Sequence, residues 1–252
     1  MTTTAAKLWR HESVKALVRT GKGKEPEEII REKARSLVVR AKSRGWTGPP
    51  YKPDVLASLC GIRCEGSTAL FTSEAQLTPL PNRQLLLEFN PDRPEGRRNF
   101  SICHEIAHTF FDDCYEIVHH RRSTPDDYDP ESEVELLCQI AAAELLMPLD
   151  DFQSDMASLP MSLRSVPSMM ERYAASREAV LRRMISVVGL PCAIVFLSKR
   201  LSNTERRKKN ARPLIHDAFE PPKPKMRILY TVPHPALDRG LNNFPTSDWT
   251  KC

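Results

Sequence analysis

The stretch NFSICHEIAHTFF, from Asn99 to Phe111, constrains this chain more than any other. It contains HEIAH. Side chains four apart on a helix lie about one turn apart on the same face, so His104 and His108 can converge on one point with Glu105 alongside. Phe100, Ile102, Ala107, Phe110 and Phe111 surround them, so the helix must be buried. A buried carboxylate is costly unless something positive pairs with it. A divalent metal meets that demand. Catalytic zinc takes three protein ligands and keeps a fourth position for water, whose pKa it lowers to about 7, while a neighbouring carboxylate accepts the proton. The spacing therefore predicts Zn2+ on His104 and His108, with Glu105 as general base. The bland alternative is a pair of core histidines satisfied by hydrogen bonds, which leaves Glu105 unexplained.

A third ligand has to come from elsewhere, and the segment ESEVELLCQIAAAELLMP offers Glu131, Glu133, Glu135 and Glu144. Asp129 as N-cap, Pro130 at the first helical position and Pro148 at the far end mark this segment as a helix. Glu131 and Glu133 fall in its first turn, where the helix dipole alone accounts for carboxylates. Glu135 and Glu144 point to opposite faces at about 100° per residue, so at most one of them meets the metal. Glu135 shares its face with Cys138, Gln139 and Ala142, small or slender residues that allow close approach of two helices. Glu135 is the predicted third ligand, and Glu144 is expected to pair elsewhere.

Around these two helices the chain reads as α+β. Residues 1–26 form a polar, flexible lead-in, with a weakly supported helix near Ser13 to Arg19. Glu27 to Trp46 places Ile30, Ala34, Leu37, Val38 and Ala41 on one face of an amphipathic helix. Pro53 to Leu59 reads as a short helix, and Ala69 to Thr72 and Gln84 to Phe89 read as strands. The second of these strands is of a kind that could pair with an extended peptide. Ser165 to Ala174 and Ser176 to Val188 form a helix pair stopped by Gly189. Cys192 to Leu201 and Met226 to Val232 are strand-like. The expected divisions are a lead-in at 1–26, a core at 27–160, a helix-turn-helix-like pair at 161–190 and a β-containing appendage at 191–252.

The remaining totals narrow the setting. No apolar run approaches the roughly 20 residues that span a bilayer, and no cleavable leader is apparent, so a soluble, cytoplasmic protein without a membrane partner is expected. The chain has 7 cysteines, an odd number in scattered positions, which suits a reducing compartment. The net charge of +5 says little by itself. The run Lys199, Arg200, Arg206, Arg207, Lys208, Lys209 and Arg212 is more pointed, and it reads either as a solvated loop or as a track for a phosphate backbone.

Two blocks in order, RRNFSICHEIAH and then ELLCQIAAAELLMP from Glu135 to Pro148, resemble the ImmA/IrrE metallopeptidases. That family joins a segment like R-F-x-x-A-HExxH to E-x-E-A-N-x-F-A-A-E-L-L-M-P. Here Cys103 stands where alanine is usual, and Leu137, Cys138, Gln139 and Ala141 replace Glu, Ala, Asn and Phe. The resemblance covers roughly residues 27 to 190. It implies a mainly helical zincin-like core with a small β-sheet, plus the small β-containing C-terminal appendage. It places the family's metal-binding glutamate on Glu135. It also implies cleavage of a helix-turn-helix repressor, which switches genes on after DNA damage, during mobile-element transfer or in antiphage defence, with CapP-like members as a plausible nearest group. Single-stranded DNA is the trigger to test, with the basic run and Arg177, Arg182 and Arg183 as candidate sensors. The alternative is an idle regulator that keeps zinc for folding and binds DNA or a partner protein.

Such a peptidase must be silent until triggered, and a thiolate in the water position would silence it. Cys103 is rotated about 100° from His104 and points away. Cys114 reaches the metal only if the chain turns back after Asp112 and Asp113. Cys114 is the candidate fourth ligand, with Cys138, one turn beyond Glu135, as the other donor; both also read as small core residues.

Overall fold

The computed structural model describes residues 9–69, 73–115, 119–120, 131–189, 191–210, 222–234 and 237. The chain divides into two units, Met1–Arg183 and Met184–Cys252. Within the expected lead-in, Glu12–Thr20 forms helix α1 and buries Val14 and Leu17. His11 starts it, accepting a hydrogen bond from the Ser13 backbone N–H through its ring nitrogen. The backbone N–H groups of Arg10 and His11 donate to the Glu133 carboxylate at 2.9 Å each. This long-range tie is invisible to local patterning, which is why α1 reads weakly from sequence.

Helix α2 (Pro26–Ser43) follows and buries its apolar stripe of Ile30, Ala34, Leu37, Val38 and Ala41, as expected. Gly45, at φ +89°, supplies the left-handed turn after it. Trp46 then folds back, buried, donating its indole N–H to the Lys52 carbonyl. Helix α3 (Pro53–Leu59) leads into a four-stranded sheet made of β1 (Ile62–Gly66), β2 (Ala75–Leu80), β3 (Gln84–Phe89) and β4 (His119–His120), ordered β1-β3-β2-β4. β1 runs parallel to β3, whereas β2 is antiparallel to both β3 and β4. Leu77 faces Leu87 in register, and both are fully buried.

Two expectations need correction here. A strand at Ala69 to Thr72 is not what precedes β3: Ala69 lies in a turn, 70–72 fall outside the described residues, and the strands are β1 and β2. β1 reads IRCEG, too polar and short to give a period-2 signal. The Gln84 to Phe89 strand cannot receive an extended peptide either. It lies between β1 and β2, so both of its edges are already paired.

Against this sheet packs α4 (Glu95–His108), buried on every side from Ser101 to His108. Its start is fixed by close approach. A Cβ at Gly96 would lie 2.4 Å from the Ala175 carbonyl carbon, and Asn99 donates to the Ala174 carbonyl at 3.0 Å. α5 (Glu131–Leu146) packs on α4 and α2; the proposed caps Asp129 and Pro130 fall outside the described residues. α6 (Leu149–Ala157), α7 (Val166–Tyr173) and the start of α8 (Arg177–Val187) complete the unit. The turn between α7 and α8 places Ala174 at φ 44°, a left-handed end to α7. Tyr173 is buried against Phe152 and donates to Asp155 at 2.7 Å, which secures α7 to α6.

In the second unit β5 (Ala193–Arg200) pairs antiparallel with β6 (Lys225–Pro233), and Phe196 stacks on Tyr230. Between them the basic run is not a loop, as its charge suggests: Asn203–Asn210 forms α9. Ser202 and Glu205 exchange hydrogen bonds between side chain and backbone, a capping box legible in Ser-Asn-Thr-Glu. Arg212 lies outside the described residues. No helix among the described residues is long and apolar enough to cross a membrane.

Candidate metal centre

The site stands where α4 and α5 pack. His104 and His108 come from the last turns of α4, one turn apart, with ring centroids 5.2 Å apart and planes at 70°. From α5, Glu135 reaches both. One carboxylate oxygen lies 3.0 Å from His104 Nε2, and the other lies 3.4 Å from His108 Nε2. The two histidines are essentially closed to solvent, at 0% and 1% exposure, whereas Glu135 is 33% exposed. The cluster therefore meets solvent on the Glu135 side. Glu105 is fully buried on the same helix.

Electrostatics favour the ionised form of Glu135 and disfavour a charged His108. Burial would raise the Glu135 carboxyl, but hydrogen bonds from His104 and His108, and their charge, hold it well below the usual carboxylate range. Burial lowers the His108 imidazole, against the pull of Glu135 and Asp113. An ionised carboxylate and neutral imidazoles are what a divalent cation requires. The donor set of two imidazoles and one carboxylate fits zinc.

The structure also brings in a residue that ranked second in the sequence. Donor atoms of His104, His108 and Cys138 all lie within 4.8 Å of one another, and all three residues are buried. Burial first, then the carboxylates of Glu135, Glu105 and Asp113, push the Cys138 thiol well above its ordinary value. Cys114 is not brought into this cluster. The chain does turn after Phe111, through a 3-10 turn at Asp112–Tyr115 that buries Cys114, and burial with Asp113 and Asp112 pushes its thiol up to about 11.

Support around the site comes partly from residues with no sequence signal. Glu133 leaves the first turn of α5 to hold the start of α1, and Asp113, beside the site, accepts from Ser13 of α1. Glu144 lies on the other side of α5, as its helical phase requires. It accepts from Arg183 at 2.9 Å, from Arg35 at 3.3 Å and from the Leu149 N–H at 3.2 Å. Arg183 also donates to the Met147 carbonyl and is buried, so it is not available as the DNA contact suggested for it. Arg182 is exposed and pairs with Glu178.

Comparison with known proteins points to one family. Residues 69–184, which carry both helices, match the Peptidase_M78 family, described as an IrrE N-terminal-like domain. A solved structure, a Mycobacterium tuberculosis transcriptional regulator, is similar with a TM-score of 0.48 and 15% identity over 74% of this chain. The match spans 56% of that protein's chain. No curated protein matches. The segment that carries the paired helices is thus similar to the metallopeptidase domain of the ImmA/IrrE family.

Proposed function

We propose that this chain is a zinc-dependent endopeptidase that cleaves a helix-turn-helix transcriptional repressor and so releases genes kept silent until a DNA-damage, mobile-element or phage signal arrives. The observation that carries the reading is Glu135, whose two oxygens face the two buried imidazoles of HEIAH. The match of residues 69–184 to a metallopeptidase family supports the same chemistry.

His104, His108 and Glu135 hold the ion, and Glu105 accepts a proton from the attacking water and returns it to the leaving amine. Bound zinc would lower the pKa of that water and polarise the scissile carbonyl. Burial of Glu105 keeps bulk water from competing for the proton. The partly exposed Glu135 marks the side from which a peptide enters. Activation by single-stranded DNA assigns phosphate contact to the second unit, where α9 presents exposed Arg206 and Arg207.

The test is incubation of the purified protein with a helix-turn-helix repressor, drawn from an adjacent reading frame if one encodes it, with and without single-stranded DNA, using Glu105→Gln as control. Repressor cleavage by wild type alone, increased by DNA, supports the reading. A zinc-loaded wild type that leaves the repressor intact under both conditions contradicts the substrate assignment, and DNA binding by an equally inert pair favours a non-catalytic regulator.

A further inference from the structure

Cys138 is unexplained by the catalytic reading, which needs two histidines, two glutamates and nothing else. It lies three residues after Glu135 on α5, on the side that packs against α4, and its sulfur falls within 4.8 Å of the donor atoms of both histidines. Glu135 and Cys138, one turn apart, approach the imidazoles from the same helix. Together the four residues are a two-nitrogen, one-oxygen, one-sulfur set, and four protein ligands are how zinc is held in sites that keep no open position.

We infer that Cys138 is the fourth zinc ligand of the resting protein, so that the site is closed by its own chain and opens only when α5 shifts enough to withdraw the sulfur. This rests on the metal centre proposed above and concerns its regulation. On coordination the thiol loses its proton to solvent, and on withdrawal the sulfur recovers one, so no oxidant or reductant is needed. Donors that share one tetrahedral ion at about 2.0 to 2.3 Å lie roughly 3.5 Å apart, so groups already within 4.8 Å of one another come together through small shifts of two packed helices. A shift in α5 is available to a signal. The helix contacts α1 through Glu133 and α8 through Glu144, two links through which an effector could pull on it.

The test is metal spectroscopy on the full chain. Cobalt-substituted wild type should bind one equivalent and show a sulfur-to-cobalt charge-transfer band in the near ultraviolet. Cys138→Ala and Cys138→Ser should bind cobalt but lose the band, and Cys114→Ser should keep it. X-ray absorption of the zinc-loaded wild type, which needs no variant, should show one sulfur scatterer at about 2.3 Å. Stoichiometric cobalt without the band, a band surviving Cys138→Ala, or a zinc shell without sulfur overturns the inference while leaving the metal centre standing. Failure of the wild type to bind either metal overturns the centre itself, and the ligand assignment with it.

Discussion

His104 Nε2 lies 3.0 Å from Glu135 Oε2, a contact that joins α4 to α5 across 31 residues of sequence. Without a cation between them, two imidazoles and a carboxylate at this range form a modest hydrogen-bonded cluster. With one, they would supply three of the four ligands that zinc takes. Replacing Glu135 with Ala should therefore weaken zinc binding by at least about 100-fold, beyond what loss of an outer-shell partner costs. Competition against a chromophoric chelator measures it. Affinity within a few-fold of wild type would remove Glu135 from the ligand set.

Glu144 and Arg183 are 1% and 7% exposed, so neither charge is compensated by water once its partner is gone. Arg183→Ala should cost about 3 to 5 kcal/mol in urea unfolding, as expected for breaking a buried pair from one side. Arg35, at 3.3 Å but half-exposed, can take over only part of the role. A double-mutant cycle with Glu144→Gln should show strong coupling between the two sites.

Glu133→Ala is expected to act locally. It removes the acceptor for the Arg10 and His11 N–H groups, a loss of about 1 to 3 kcal/mol. Hydrogen exchange should accelerate in Glu12–Thr20 and remain slow in α4 and α5. Zinc stoichiometry should be unchanged. Uniform loss of protection across the first unit would mean that α1 is part of the global folding unit.

Acid stability should carry the signature of Asp155. Burial raises its carboxyl, but hydrogen bonds from Arg172 and Tyr173 outweigh this and leave it below its ordinary value near 3.8. A carboxyl depressed in the folded state binds fewer protons there than when unfolded. Its contribution is thus present above the unfolded value and is lost as pH falls through the folded one. Urea midpoints measured between pH 2 and 5 should fall less steeply for Asp155→Asn than for wild type. Parallel curves would show that this pairing adds nothing to stability.

What was legible in the sequence follows the range of the interaction concerned. HEIAH needs only helical phase to bring two histidines together, and phase also sends Glu135 and Glu144 to opposite sides of α5. The apolar stripe of α2 is local in the same sense. Interactions between distant segments were not legible. Nothing near Glu133 announces that it holds Arg10 and His11, and nothing near Arg183 announces Glu144. β1 escaped because a parallel partner is found only through the fold, and the interior position of β3 depends on β1. Cys138, and not Cys114, stands beside the two imidazoles for a related reason. Ranking them required knowing how α5 packs on α4 and where the turn after Phe111 sends the chain.

The central claim is that Glu105 moves the proton in a zinc-dependent cleavage, and parallel assay of wild type and Glu105→Gln tests it most directly. Zinc content is measured on both proteins, and cleavage of the repressor identified as substrate for the wild type is followed under the same conditions. The expected result is one zinc per chain in each, with cleavage falling by at least about 100-fold in the variant, the scale of a lost general base. Cleavage at an undiminished rate by zinc-loaded Glu105→Gln would contradict it.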